Sequence, residues 1–160
     1  VQSPQELLKF LVKSPLDFVI IGGFAAVLHG CEQTTRDIDI CLVLNEDQVR
    51  LLNEVLAPLH PKYRTTSEKT PFQIADIKDF TQDLHLETDF GILDIVSHVK
   101  GVGDFYDVLK NADEFELYGG KCHLISIDDL IKSKKVLGRH RDLTVIEELE
   151  AIKQEKTDNY

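Results

Sequence analysis

Two aspartates one residue apart, Asp37-Ile38-Asp39, a third at Asp94 and the pair Gly22-Gly23 are the residues here whose types and spacing best suit chemistry. In a strand, side chains alternate between faces, so Asp37 and Asp39 point one way while Ile38 and Ile40 point into a core. Carboxylates side by side repel each other, and divalent cations relieve that cost. Asp94 sits in the apolar run Ile92-Leu93-Asp94-Ile95-Val96, where a charge is costly unless it is paired, at an edge or on a metal. Three strand carboxylates on one sheet surface suit two-metal phosphoryl transfer. Gly22-Gly23 follows an apolar run and precedes a helical pattern. Without side chains there, a phosphate can approach the backbone, and a helix N-terminus favours anions. The pair is neither a GxGxxG dinucleotide fingerprint nor a Walker A loop, since no GK[ST] follows.

A basic stretch is the second candidate. Lys132, Lys134, Lys135, Arg139 and Arg141 fall within ten residues that contain no acid. Lys134 begins a turn that reaches Arg139 across Gly138, and from its residues alone the stretch reads as a solvated helix face favoured by the helix dipole. Arg36, just before the carboxylate pair, touches a phosphate or pairs with an aspartate, and Asp142 is read as structural. Thr34 and Thr35 are further candidates for nucleotide contact. His29 reads as packed or capping and His123 as a sheet residue, while His60, His85, His98 and His140 show no metal spacing.

These residues need elements to hold them. Ser3-Pro4-Gln5-Glu6 opens a helix with a capping box, and Leu7, Leu8, Leu11 and Val12 give it one apolar face. Phe18 to Ile21 reads as a buried strand and Phe24 to His29 as a short helix closed by Gly30. Residues 38–44 read as a second buried strand, and Glu46 to Leu56 as a helix capped by Asn45. Residues 63–70 read as a loop and Phe72 to Phe80 as a short helix. Leu84 to Thr88 and Ile92 to Val99 form a hairpin about Asp89-Phe90-Gly91. A helix near Phe105 to Lys110 and a second hairpin about Tyr118-Gly119-Gly120 follow. Two helices end the chain, to about Leu137 and from about Arg141 to Lys153, and residues 154–160 are expected to fray. Irregular alternation with two hairpins predicts an α+β fold with a mixed sheet rather than a doubly wound parallel one.

Composition bounds the function. The 160 residues hold 18 Lys+Arg against 28 Asp+Glu, a net charge of −10. That length suits one domain able to bury roughly 70% of the unfolded surface. The acidic balance excludes a protein that coats nucleic acid through its phosphates, though not a small basic site. Outside residues 132–141 the balance falls to 13 basic against 28 acidic, which weighs against RNA as a binding partner. Cys31, Cys41 and Cys122 have no CxxC spacing and read as buried thiols of a reducing cytoplasm, neither a disulfide framework nor a zinc site. No apolar run approaches the ~20 residues of a membrane span, and Val1-Gln2-Ser3-Pro4 is no secretion signal. The chain has no Met, so its numbering is expected to begin after the natural start.

Taken in order, Val19-Ile20-Ile21-Gly22-Gly23-Phe24-Ala25, His29-Gly30, Thr35-Arg36-Asp37-Ile38-Asp39-Ile40 and Gly91-Ile92-Leu93-Asp94-Ile95-Val96 resemble the nucleotidyltransferase superfamily of the polymerase-beta type. Asp129-Leu130-Ile131, Lys134, Arg139 and Asp142-Leu143 are similar to a C-terminal stretch of its small bacterial and archaeal members, some related to abortive-infection toxin–antitoxin systems. The resemblance runs from about residue 17 to 150. It implies one nucleotidyltransferase domain over 1–160, with a catalytic core at 17–125 and C-terminal helices at 126–153.

It also implies roles. Asp37 and Asp39 would hold Mg²⁺ (or Mn²⁺) bridging the triphosphate of an NTP, and Asp94 would share one metal and help deprotonate the acceptor hydroxyl. Gly22 and Gly23, with Arg36, Lys134 and Arg139, would bind the nucleotide. The expected reaction moves a nucleoside monophosphate to a hydroxyl of a protein, a tRNA 3′ end or a small molecule such as an aminoglycoside. A homodimer or partner protein would complete so short a chain. The alternative is a catalytically silent nucleotide-binding regulatory or toxin–antitoxin module; a purely structural domain fits the motifs least.

Overall fold

The structure, a computed structural model, describes residues 2–159; Val1 and Tyr160, the ends of the segments read above as no signal and as frayed, lie outside the described residues. Helix α1 (Pro4–Val12) starts where Ser3 Oγ accepts the Glu6 N–H at 3.2 Å, the Ser3 half of the expected capping box. Its buried face is Leu7, Leu8, Leu11 and Val12, laid against the central strands. Strand β1 (Val19–Ile21) is wholly buried and passes without a loop into α2 (Gly22–His29), so the helix takes in both glycines. Gly30, at φ +115°, ends it in the left-handed conformation that glycine adopts without penalty. His29 is buried and donates from Nε2 to the Ile125 carbonyl at 2.7 Å; burial lowers its pKa, so the neutral ring packs there.

Strand β2 (Ile38–Cys41) is shorter than the expected run to residue 44, although Leu42 and Leu44 remain buried beyond it. Helix α3 (Glu46–Leu56) is capped as expected, Asn45 Oδ1 accepting the Gln48 N–H at 2.9 Å. At the start of the stretch read as a loop from residue 63, Lys62–Tyr63 forms an edge strand, β3. The helix expected over Phe72 to Phe80 reduces to a single 3₁₀ turn at Ile74–Asp76. Phe72, Ile74, Ile77 and Phe80 all reach the core, but their spacing does not keep one helical face, and Asp79 turns the chain by accepting the Thr81 N–H.

The first hairpin pairs β4 (Leu84–Thr88) with β5 (Gly91–Val96), both alternating buried and part-exposed residues. The second strand stops at Val96, not Val99, because β6 (His98–Val99) leaves to pair with β7 (Gly103–Asp104) in a separate ribbon. Helix α4 (Phe105–Leu109) follows, and the second hairpin joins β8 (Asp113–Leu117) to β9 (Gly120–Leu124). Helix α5 (Ile127–Leu137) is capped by Ser126 and ended by Gly138 at φ +61°. Helix α6 (His140–Asp158) continues past the expected end at Lys153, its last turn tied by Gln154 Nε2 donating to Asp158 Oδ1 at 3.0 Å and Thr157 Oγ1 to the Lys153 carbonyl.

The strands make a seven-stranded sheet in the order β3-β4-β5-β2-β1-β9-β8. The β2–β5 and β1–β9 pairs are parallel and the rest antiparallel, so the sheet is mixed as expected, and the fold is α+β. Helices α5 and α6 pack on each other, and both pack on α2. None of the helices among the described residues is long and apolar enough to cross a membrane. All three thiols are buried and unpaired, and burial pushes Cys41 up to about 12 and Cys122 up to about 11.

Candidate active site

The parallel pairing of β2 with β5 sets Asp39 directly opposite Asp94. Ile38, Ile40, Leu93 and Ile95 are fully buried on the other face, which forces both carboxylates to the same side. Asp37 lies one residue before β2 and lines the same cavity. The β1–α2 junction closes over Asp39. Gly22 sits at φ +70°, and a Cβ added there would overlap the Asp39 carboxylate, so only glycine lets that side chain lie against the turn. A Cβ on Gly23 would meet Thr35 Oγ1 at 3.4 Å, and that hydroxyl donates to the Asp37 carbonyl at 3.4 Å. Ile21 caps α2 without a side-chain hydrogen bond, so the first amides of the helix keep their donors.

These residues line one wall of a cavity of about 600 Å³, and the α5–α6 corner supplies Lys134, Arg139 and Arg141 on the other. The carboxylates of the acidic wall are unequally compensated. Burial first, then the charges of Asp94 and Asp37, push the Asp39 carboxyl up to about 7, and Arg64 draws it only partly back. Asp94 is differently served. Arg64 donates from Nε and Nη2 to Asp94 Oδ1 at 3.1 and 2.9 Å and from Nη2 to Oδ2 at 2.9 Å, and His85 Nδ1 lies 3.0 Å from Oδ1. The basic wall is partly neutralised from within. Buried Asp142 accepts from Arg139 Nε at 2.7 Å and Nη2 at 3.1 Å, and from Lys134 Nζ at 3.4 Å. Hydrogen bonding from Arg139, then the nearby Lys134 charge, hold the Asp142 carboxyl below its usual range against the opposing effect of burial.

A divalent cation fits part of this donor set. Asp37 and Asp39 offer hard oxygen ligands where charge is uncompensated. Gln33 Nε2, buried in the cavity lining without a partner among the described residues, is an N–H donor that suits an anionic oxygen rather than a cation. Asp94 does not fit as it stands, since both its oxygens hold the guanidinium. Consistent with that, no group of three or more His, Cys, Asp or Glu among the described residues is arranged to hold a metal ion.

The structure thus brings together Gly22, Gly23, Asp37, Asp39, Asp94, Lys134 and Arg139. It leaves out Arg36, whose exposed side chain lies outside the cavity lining; the alternation that turns Asp37 inward turns its neighbour away. Asp142 has the structural role expected, Lys132 reaches back along its helix to buried Asp129 at 3.9 Å, and Lys135 pairs on the surface with Glu150. Sequence reasoning missed Arg64, His85 and Gln33 as parts of the site. His85 was within reach, because a hairpin pairing Thr88 with Gly91 also pairs His85 with Asp94. Arg64 carried no signal, since it stands just past a two-residue edge strand in a stretch without periodicity.

No protein-family model matches the chain, and no curated protein does. The solved structures similar to it include two proteins. One is a Thermotoga maritima protein provisionally named a nucleotidyltransferase, 17% identical over 99% of this chain and 96% of that one, with a TM-score of 0.55. The other is an antigenic nucleotidyltransferase-like protein from Paracoccidioides brasiliensis, 14% identical over 92% of this chain and 74% of that one, with a TM-score of 0.57. At these identities the likeness establishes the fold, which is nucleotidyltransferase-like, as the sequence resemblance implied.

Proposed function

We propose that the chain moves a nucleoside monophosphate from an NTP to a hydroxyl acceptor and releases pyrophosphate. The observation that carries this reading is the seat that Gly22 makes for Asp39, opening beside Asp37 onto the cavity shared with Lys134, Arg139 and Arg141. Asp37 and Asp39 would hold Mg²⁺ or Mn²⁺. When bound, the cation would offset charge on the transferring group and on the departing pyrophosphate. The uncapped first amides of α2 would bind phosphate oxygens. Arg141 would meet the phosphates from the opposite wall. In the transfer, the acceptor oxygen bonds to the α-phosphorus as the bond from that phosphorus to the bridging oxygen of pyrophosphate breaks. The hydroxyl proton passes toward Asp94, which Arg64 and His85 hold in place.

The acceptor would be a protein side chain, a tRNA 3′ end or a small molecule such as an aminoglycoside, with the acidic body weighing against RNA. A second copy or a partner protein would complete its site, in a reducing cytoplasm and in a toxin–antitoxin setting. A second reading, a nucleotide-binding module without turnover, draws support from the pairing of Asp94 with Arg64. One experiment separates them. Each α-labelled NTP is incubated with Mg²⁺ or Mn²⁺ and with cell RNA, cell protein or aminoglycosides, using wild type and Asp37→Ala/Asp39→Ala. Label in one pool that the variant fails to transfer is the expected result. ATP binding with no label in any pool and no pyrophosphate release would favour the silent module.

A further inference from the structure

We infer that Arg64 is an internal counter-cation which takes the place of a second metal at Asp94, so that the centre accepts one divalent ion, on Asp37 and Asp39. This rests on the nucleotide-transfer reading for its context but not for its test.

The Arg64 guanidinium meets both oxygens of Asp94 through two of its nitrogens, and His85 Nδ1 adds a third nitrogen on Oδ1. The Asp94 side chain is only 15% exposed and that of Arg64 33%, so the pair is shielded rather than a loose surface contact. The arrangement is also anchored in the backbone. Arg64 N–H donates to the His85 carbonyl at 3.1 Å, so both partners of Asp94 come from the same β3–β4 edge. A planar, always-charged fork that satisfies a carboxylate in this way leaves it little capacity for another cation. Asp37 and Asp39 have no such partner. The two ions of a two-metal centre sit about 3.5–4 Å apart and share ligands. Here the position beside Asp94 is filled by side-chain nitrogen atoms of the chain itself.

The probe is Mn²⁺ alone, counted by electron paramagnetic resonance during titration of the full chain, with Asp37→Asn/Asp39→Asn giving the background of weak surface sites. Wild type is expected to bind one ion at the centre, with the spectrum of an isolated Mn²⁺. Arg64→Gln is expected to bind two, with the broadened spectrum of a coupled pair. Arg64→Gln/Asp94→Asn, which deletes the opposed charges together, should return to one. Arg64→Lys, with a charge but no fork, tests whether the bidentate contact is what excludes the ion, and is expected to admit a second ion more weakly than Arg64→Gln does. Circular dichroism checks that each variant is folded, and the wild-type count decides even if Arg64→Gln is not. A coupled pair in wild type, no ion in wild type, one ion in folded Arg64→Gln, or two in the double variant would each overturn the inference. A coupled pair in a wild type that still transfers label sinks this inference alone. A clean change from one to two in a chain that labels nothing sinks the transfer reading alone.

Discussion

Gly22 shows how much one absent side chain determines. From the sequence it is a place for a phosphate to approach the backbone; in the structure the group that approaches is the carboxylate of Asp39. Gly22→Ala therefore combines two penalties. The left-handed φ costs roughly 1–2 kcal/mol for a residue with a Cβ, and the methyl must displace Asp39 from its seat. Gly23→Ala meets only the Thr35 side chain, its hydroxyl nearest at 3.4 Å, and has no positive φ. The expected outcome is a lower urea midpoint and lost ATP binding for Gly22→Ala, with Gly23→Ala close to wild type in stability. Equal effects of the two substitutions on ATP binding and midpoint would contradict the seat. Asp39 and Asp94 could be found from the sequence because alternation in apolar strands exposes a charge that does not belong. Arg64 could not, since its partner is 30 residues away and nothing local marks it.

The α5–α6 corner is held by an element-scale contact that the sequence presents only as a run of bases. Lys134 near the end of α5 and Arg139 at the start of α6 converge on Asp142, whose side chain is 3% exposed, with Lys134 at 8%. The turn between them was foreseeable from Gly138, whereas the convergence depends on how α6 packs back on α5. Asp142→Asn leaves a buried ammonium without its carboxylate, which typically costs about 3–5 kcal/mol. Lys134→Met/Asp142→Leu removes both charges and should recover most of that stability. The Asp142 carboxyl has a lowered folded pKa, so its contribution is complete above the unfolded value, about 3.9, and fades as pH falls through the folded value. Urea unfolding from pH 7 down to pH 2 should show wild type losing part of its advantage over the double variant below about pH 4. A constant difference across that range would show that Asp142 is not held in its charged form.

Across the whole molecule, charge is distributed unevenly about one cavity. The chain carries −10 overall, yet among the described residues every cation that lines the cavity except one already has a carboxylate partner: Arg64 is on Asp94, and Lys134 and Arg139 are on Asp142. Arg141 lines the cavity with no carboxylate partner among the described residues. It was read from the sequence as one base of five, and only the folding back of α6 distinguishes it from Lys132 and Lys135, which pair elsewhere. A triphosphate entering an acidic protein needs a free positive group, and a hydrogen bond to a charged partner contributes about 1.5–3 kcal/mol. Arg141→Gln should therefore weaken ATP binding by roughly ten- to a hundredfold and flatten its dependence on salt. Arg36→Gln, exposed outside the cavity, should leave both unchanged, although Arg36 lies beside the aspartate pair in sequence. Isothermal titration at two ionic strengths reads both variants. If Arg36→Gln weakened binding and Arg141→Gln did not, the phosphates would have to enter along the strand that carries the carboxylates, and the basic wall would be only a brace for the last two helices.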